Sequence, residues 1–434
     1  MHGRAADSNH HHISGAGFKH LISVQDALNE ILRNLPRRLI SIETVPLEVA
    51  LNRILAQDLI SLVDVPPFDK AAMDGFAVEA EDTYGATSAA PVFLRNIGGA
   101  QGATAVGVSI VRGEAVSIVT GGQMPQGANA VVMVEYTKLH EDGTVEVSSE
   151  VHPAENVARA GEDVRKGITV LKKGTRILPQ DLGMLTCLGS KKVPVVQKPR
   201  VAVLSTGNEL SDLPIAVSGR IPDVNRPTLI GGLRDLGCAP VDLGIVPDEF
   251  NQIRSRLEDG LRSADMVLVT AGTSVGPMDM VPAVIDSLGK PGMLVHGVAM
   301  RPSMPTGLAV VDGKAIVSLP GYPVSAYIAF IEFVRPLVSH LLETDQLPRP
   351  TVKATLTRRL AGVLGSRTYV RVRVIQTDEG CIAEPVRTSG AGILSSLVQA
   401  NGFVIVPEHT EGYEEGHEVD VELFRPLERE VTAK

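Results

Sequence analysis

Five short apolar runs in the second half of the chain, 201–204, 241–245, 266–270, 294–298 and 315–318, are each followed by a turn that carries chemistry. Glu209, Asp248 and Asp279 follow the first three, Arg301 the fourth and Ser325 the fifth. Carboxylates gathered at one place suit a hard divalent cation, and a guanidinium with glycine-rich, N–H-rich turns suits an oxyanion or phosphate. Any one of these acids is most simply a helix cap. Three acidic turns, a basic turn and several glycine turns together point to a metal-assisted site for an anionic ligand.

Strands alternating with helices would bring these turns together. The run Met266-Val-Leu-Val-Thr270 reads as a buried strand, and Gly272 and Gly276 break it into a turn. Pro277 can open a helix there, and Asp279 sits just beyond it. Between runs, residues 250–261 place Ile253, Leu257 and Leu261 on one helical face. Such alternation predicts a parallel or mixed sheet with helices on both faces, whose ligands bind outside the carboxyl ends of the strands.

The rest of the chain reads differently. Residues 24–39 have helical spacing behind a Ser23 N-cap, and residues 44–62, including 47–55, continue with helical periodicity. From 92 to 149 the pattern is β, with a hairpin predicted at Glu141-Asp-Gly143. A further glycine-rich turn, Thr120-Gly-Gly-Gln-Met-Pro-Gln-Gly127, lies inside that region, and Asp69 and Asp74 precede it as candidate turn residues. A helix is expected at 180–188. Beyond Pro348, short strands (351–357, 370–375, 402–406 and 419–423) form a small terminal β domain.

Composition narrows the function classes. A chain of 434 residues, 44% apolar and 21% charged, has the length for two to four globular domains. Its net charge of −9, 3% aromatics and absence of Trp argue against nucleic acid or an anionic membrane as partner. Cys187, Cys238 and Cys381 are far apart and odd in number, which indicates a reducing compartment with buried apolar thiols. The longest uncharged run, 315–331, is punctuated by Pro320, Gly321 and Pro323 into strand, turn and helix rather than a membrane span. A cytoplasmic protein is expected, with residues 1–17 as a floppy leader that contains His10, His11 and His12.

Taken in order, the loaded turns resemble the molybdopterin molybdenumtransferase family, of the MoeA and gephyrin E-domain type. The matching stretches are Pro67-Phe-Asp-Lys-Ala-Ala-Met-Asp-Gly-Phe-Ala77, Thr120-Gly-Gly-Gln-Met-Pro-Gln-Gly-Ala128, Gly161-Glu-Asp163, Ser205-Thr-Gly-Asn-Glu-Leu210, Asp223-Val-Asn-Arg226, Ala271-Gly-Thr-Ser-Val-Gly276, Arg301-Pro-Ser-Met-Pro305 and Leu319-Pro-Gly-Tyr-Pro-Val-Ser-Ala326. The resemblance spans roughly residues 20–425. It implies an α/β plus β multidomain fold. A disordered leader (1–17) would precede an elongated domain of two segments (18–65 and 152–198), whose first helix is free to pack on the sheet domain. An inserted β domain (66–151), a mixed α/β sheet domain of molybdopterin-binding type (199–345) and a C-terminal β barrel (346–434) complete the chain.

The same resemblance implies the reaction. Molybdate or tungstate is joined to adenylylated molybdopterin, and the adenylyl bond is hydrolysed with Mg²⁺, releasing AMP. The functional acids would be Asp74, Asp163, Glu209, Asp248 and Asp279, with Asp74, Asp248 and Asp279 as metal ligands. Thr120, Thr206, Gly207, Gly272, Ser274, Gly276, Arg301, Pro302, Pro320, Gly321 and Ser325 would bind substrate. Family members are homodimers whose site lies between the sheet domain and a partner's inserted domain.

The chain departs from the family pattern on the anion side. The usual Lys-Pro-Gly-Lys-Pro is Arg301-Pro-Ser-Met-Pro305, Gly-Gly-Val-Ser is Ala271-Gly-Thr-Ser274, and Leu-Pro-Gly-Asn-Pro is Leu319-Pro-Gly-Tyr-Pro323. Met304 removes a charge, and Lys70 and Arg226 are the candidate replacement cations. Two other readings compete. One is a diverged, non-catalytic pterin- or nucleotide-binding paralogue, or a scaffold. The other is a serine hydrolase using Ser274 in Gly272-Thr-Ser-Val-Gly276, against which Pro277 directly follows the second glycine and the downstream His296 and His340 lie in a strand-like and a helical stretch.

Overall fold

A computed structural model describes residues 13–15, 18–36, 40–99, 108–213, 219–270, 280–346, 348–387 and 390–429. The chain divides into two units, residues 44–195 and residues 1–43 with 196–434.

In the second of these units, six strands form one mixed sheet in the order Ala239–Val246, Arg200–Thr206, Met266–Thr270, Lys314–Leu319, Gly307–Val311, Pro291–His296. The first four are mutually parallel, while Gly307–Val311 runs antiparallel to both its neighbours. Thr206, Val246, Thr270, Leu319 and His296 therefore end on the same edge. The parallel strands are β-branched and fully buried in the middle of the sheet, as sheets covered on both faces require. On one face, Ile253 and Leu257 of the Phe250–Ser263 helix and Val281, Val284 and Ile285 of the Val281–Leu288 helix pack on Ala202, Leu204, Val267 and Val269. Lys314 Nζ reaches back to the Ala264 carbonyl (2.8 Å), satisfying an acceptor just past the helix end.

The sheet holds one strand more than the sequence reading, at Gly307–Val311. Its signal was present. A four-residue apolar run precedes Asp312-Gly313, both of which have positive φ (50° and 74°), the backbone of a tight hairpin.

The first helix, Val24–Asn34, has the expected cap, with Ser23 Oγ accepting from Asp26 N–H (3.1 Å). It stops five residues short of the predicted end, because Leu35 precedes Pro36 and is held extended. The helix packs on the Pro291–His296 and Gly307–Val311 strands.

The C-terminal sheet follows the order Arg367–Thr377, Gly380–Arg387, Thr351–Leu356, Glu418–Leu423, Gly402–Val406, and closes because the last strand also pairs with the first. This is a five-stranded barrel around Val370, Val372, Val374, Val404, Val406 and Val421. The two-residue strand Met300–Arg301 adds to its edge through Arg367 and Thr368.

Residues 323–342 form a continuous 20-residue helical stretch, with a π turn at Phe330–Val334. It has the length and hydropathy of a membrane span, yet its apolar window is 67% buried within the chain, as for a core helix.

In the other unit, a six-stranded sheet runs Thr137–Leu139, Thr144–Val147, Val92–Gly99, Glu114–Ile118, Gly75–Val78, Ala130–Met133. The predicted hairpin is there, with Gly143 at φ +83°. Predicted helical periodicity over 44–62 is corrected. That stretch holds only a 3₁₀ turn, Leu47–Val49, and Asn52 takes a positive φ of 63°. Ile54 and Leu55 then bridge to Arg176 and Val195, and Leu59–Ile60 pairs with Thr169–Leu171. Its apolar residues recur at helical spacing only because short extended pieces alternate with turns. The 180–188 helix is found as Pro179–Cys187. Of the three thiols, Cys238 is buried as expected, whereas Cys187 is exposed and Cys381 partly so.

Candidate functional site

The carboxyl edge of the mixed sheet gathers the turns anticipated there. Thr206 and Val246 are register partners, and Gly207 N–H donates to the Val246 carbonyl (3.1 Å). Asn208 Oδ1 accepts from Asp248 N–H (3.3 Å), so the Glu209 and Asp248 turns are knitted together. Glu209 folds over Gly207, whose missing Cβ would stand 2.8 Å from Glu209 Oε2. A side chain at 207 would expel that carboxylate. Glu209 is exposed and Asp248 half-buried, which leaves both carboxylates reachable from solvent.

The turn after the Lys314–Leu319 strand joins the same edge. Gly321 carbonyl accepts from Asn225 Nδ2 (2.7 Å), and the Ser325 carbonyl accepts from Ser303 Oγ (2.6 Å). Pro302 and Ser303 follow Arg301, so that hydrogen bond ties the basic turn to the helix beginning at Pro323. Arg301 itself is exposed. Pro320 and Ser325 are buried, Gly321 exposed. The first helical donor is already engaged, since Val324 N–H donates to the Ala391 carbonyl (3.0 Å) of the C-terminal domain. Thr206 Oγ1 and Ser318 Oγ, both fully buried on the sheet's carboxyl side, have no hydrogen-bond partner among the described residues. Gly272, Ser274, Gly276 and Asp279 lie outside the described residues.

Arg226 does not serve as a free replacement cation. Its guanidinium is bound by Asp223 (3.2 Å), Asp242 (2.9 Å) and Asp212. Burial opposes its charge, but the hydrogen bond and attraction from Asp242, followed by Asp212 and Asp223, outweigh it and raise the pKa. Met304 is partly buried against Leu21 and Ala299.

In the other unit, Thr120 donates both its backbone N–H and its hydroxyl to Asp74 Oδ1, each at 2.7 Å. Those two bonds, the backbone one first, lower the Asp74 pKa while the carboxylate stays exposed. The glycine turn reaches Asp74 because Gly121 N–H and the Gly122 carbonyl both pair with Ala71 (2.8 Å). Asp69 is structural, its carboxylate accepting from Ala160 N–H (2.7 Å). Asp163 is exposed in the turn whose backbone N–H donates to Val65. Lys70 sits in a two-residue strand paired with Val157–Ala158.

Among the described residues no group of three or more His, Cys, Asp or Glu side chains is close enough to hold a metal ion. The hydrolase candidates separate. His296 ends its strand at the carboxyl edge with its pKa lowered by burial, while His340 lines a cleft with Arg200, Ala239 and Met266 at the amino ends.

Comparison with known proteins adds three consecutive family matches. Residues 22–189 match the MoeA N-terminal region (domain I and II), 202–340 a probable molybdopterin binding domain, and 353–424 the MoeA C-terminal region (domain IV). A putative molybdopterin biosynthesis protein of Methanocaldococcus jannaschii is 38% identical over 393 residues, covering 88% of this chain and 92% of the relative. A molybdopterin molybdenumtransferase of Bacillus subtilis is 33% identical over 387 residues, covering 88% and 90%. The crystal structure of a molybdopterin biosynthesis MoeA protein from Pyrococcus horikoshii superposes with a TM-score of 0.80 at 34% identity, over 93% of this chain and all of that one.

Proposed function

The chain belongs to the MoeA family of molybdopterin molybdenumtransferases, and from that premise we propose that it inserts molybdate or tungstate into adenylylated molybdopterin and releases AMP by Mg²⁺-dependent hydrolysis. The observation that carries this reading is the gathering of the Glu209, Asp248 and Gly321 turns at one sheet edge, the first two joined through Asn208 and the third held by Asn225, with two carboxylates open to solvent. Edges of this kind bind anionic ligands, and the phosphates of an adenylylated pterin are such a ligand.

In this reading Asp248 and Asp279 of one protomer, with Asp74 of its partner, would hold the Mg²⁺. Carboxylate oxygens, with no thiolate or imidazole among them, are the donor set that hard cation takes. When bound, the ion offsets phosphate charge. Thr120 keeps Asp74 ionised and aimed, Asn208 fixes the Asp248 turn, and Gly207 leaves room for Glu209. Arg301 and Pro302, with the Thr206-Gly207 and Pro320–Ser325 turns, position the anion, and Asp163 completes the acid set.

The protein works in the cytoplasm as a homodimer, with an elongated domain (18–65 and 152–198), an inserted β domain (66–151), the sheet domain (199–345) and the barrel (346–434). The test is release of AMP from adenylylated molybdopterin by the purified protein. Release that requires Mg²⁺ and molybdate supports the reading. Binding of the substrate without turnover under the same conditions would instead make this a pterin-binding paralogue, a reading that the departures at Met304 and Tyr322 favour.

A further inference from the structure

Tyr322 stands in the turn between Gly321 and Pro323 and is 66% exposed, more than any other aromatic among the described residues. A ring left in water forgoes the burial that normally holds tyrosine in place. The chain has only six Tyr, nine Phe and no Trp, so this exposure falls on a scarce side chain.

The ring is nevertheless not loose at its base. Gly321 carbonyl is held by Asn225, Tyr322 carbonyl accepts from Ala326 N–H (2.9 Å), and Val324 N–H is held by Ala391. One edge of the ring, Cδ1 and Cε1, lies against Gly392 of the C-terminal domain. A Cβ at 392 would stand 3.2 Å from Tyr322 Cδ1 and 3.4 Å from Cε1, tighter than ordinary contact. Glycine there lets the ring edge brace against the backbone, while the side chain as a whole stays mostly exposed in the turn that carries Gly321 and Ser325.

We propose that Tyr322, backed by Gly392, is a stacking platform for a planar heterocycle of the substrate at this sheet edge. The inference rests on the transferase reading, whose substrate carries two such rings, a pterin and an adenine. Aromatic faces hold nucleobase-like rings by stacking, with little demand on hydrogen-bond pattern.

The test measures binding of two probes, AMP and 6-hydroxymethylpterin, by calorimetry, together with KM and kcat for AMP release. Tyr322→Ala should weaken one probe by roughly tenfold or more and raise KM in parallel with kcat kept, as expected when binding common to ground and transition states is removed. The probe affected identifies the ring. Tyr322→Phe should behave as the wild type, and Gly392→Val, which displaces the ring without removing it, should reproduce the Tyr322→Ala loss. Unchanged affinity for both probes and unchanged KM in Tyr322→Ala overturns the platform, and if the wild type still releases AMP the transferase reading survives. A wild type that releases no AMP defeats that reading, while the binding measurements still decide the platform.

Discussion

Asp74 Oδ1 accepts two hydrogen bonds from one residue, Thr120, which lies 46 positions further along the chain. Both donors favour the ionised carboxylate and lower its pKa. A group depressed in this way contributes stability at pH values above its unfolded pKa, and that contribution is lost as pH falls through the folded value.

Thr120→Val keeps the backbone donor and removes the hydroxyl. The Asp74 pKa should rise part of the way back toward its ordinary value, with Thr120→Ser near the wild type. Carboxyl carbon chemical shifts followed by NMR through a metal-free acid titration check this. An Asp74 titration identical in Thr120→Val and the wild type would show that the hydroxyl bond does not act on the carboxylate.

Exposed or half-exposed acids that serve chemistry can be neutralised without unfolding the protein. Asp248→Asn and Glu209→Gln should each reduce AMP release by on the order of 100-fold and leave the thermal midpoint nearly unchanged. Asp248→Asn is also free to stabilise the metal-free protein by relieving repulsion among carboxylates. Variants that unfold readily while retaining specific activity would make both acids helix and turn caps.

How far the sequence leads depends on the distance over which each feature is encoded. The Met266–Thr270 strand was legible to the residue, because a fully buried parallel strand is a continuous apolar run. Gly143 marked its hairpin for the same local reason. The 44–62 stretch was misread, since its true partners, Arg176, Val195 and Thr169–Leu171, lie more than 100 residues away. Acid turns at the sheet edge followed from topology alone. Family resemblance implied separate roles for Asp74 and Thr120 but not their hydrogen bonds, and the contact of Tyr322 with Gly392 had no sequence signal, because it joins two domains 70 positions apart.

Dimer sharing of the site has a stoichiometric signature. If Asp74 of one protomer works with Asp248 of its partner, mixing the inactive Asp74→Asn and Asp248→Asn proteins under subunit exchange creates heterodimers with one intact site of two. Activity should recover to about one quarter of the wild type in an equimolar mixture, as two-fold symmetry requires. Native mass spectrometry of the mixture, with one variant isotope-labelled, confirms exchange, and exchange without recovery would place both acids in one protomer's site.

Glu332 offers a pH effect of opposite sign to that of Asp74. Burial raises its pKa, only partly offset by the nearby Tyr369 hydroxyl and the charges of Arg349 and Arg367, which lies 3.9 Å away. The folded state therefore holds the Glu332 proton at pH values where the unfolded state has released it, and stability falls as pH rises from the unfolded toward the folded pKa. Glu332→Gln removes that slope, so the variant should gain on the wild type as pH rises from the ordinary glutamate value toward the raised folded one. Urea midpoints measured across that range decide it. A variant that loses ground with rising pH would mean that the Arg367 pair governs the site.

Met304 is the last departure to resolve, and its packing sets the expectation. The side chain is partly buried against Leu21 and Ala299, while Arg226, one candidate to replace the missing charge, is fully engaged by three aspartates. Met304→Lys would place an ammonium group on an apolar cluster. The four-carbon stem lets the charge reach water, so the loss of stability should be about 1–2 kcal/mol rather than that of a fully buried ion. Met304→Leu, which conserves volume, should cost less than about 1.5 kcal/mol. Substrate affinity should not improve in Met304→Lys, because the position is committed to packing. A tenfold or larger gain, equivalent to about 1.4 kcal/mol, would instead show that the lysine reaches the anion and that the wild type is a weakened transferase. Chemical denaturation and calorimetric titration of the same two variants separate these outcomes.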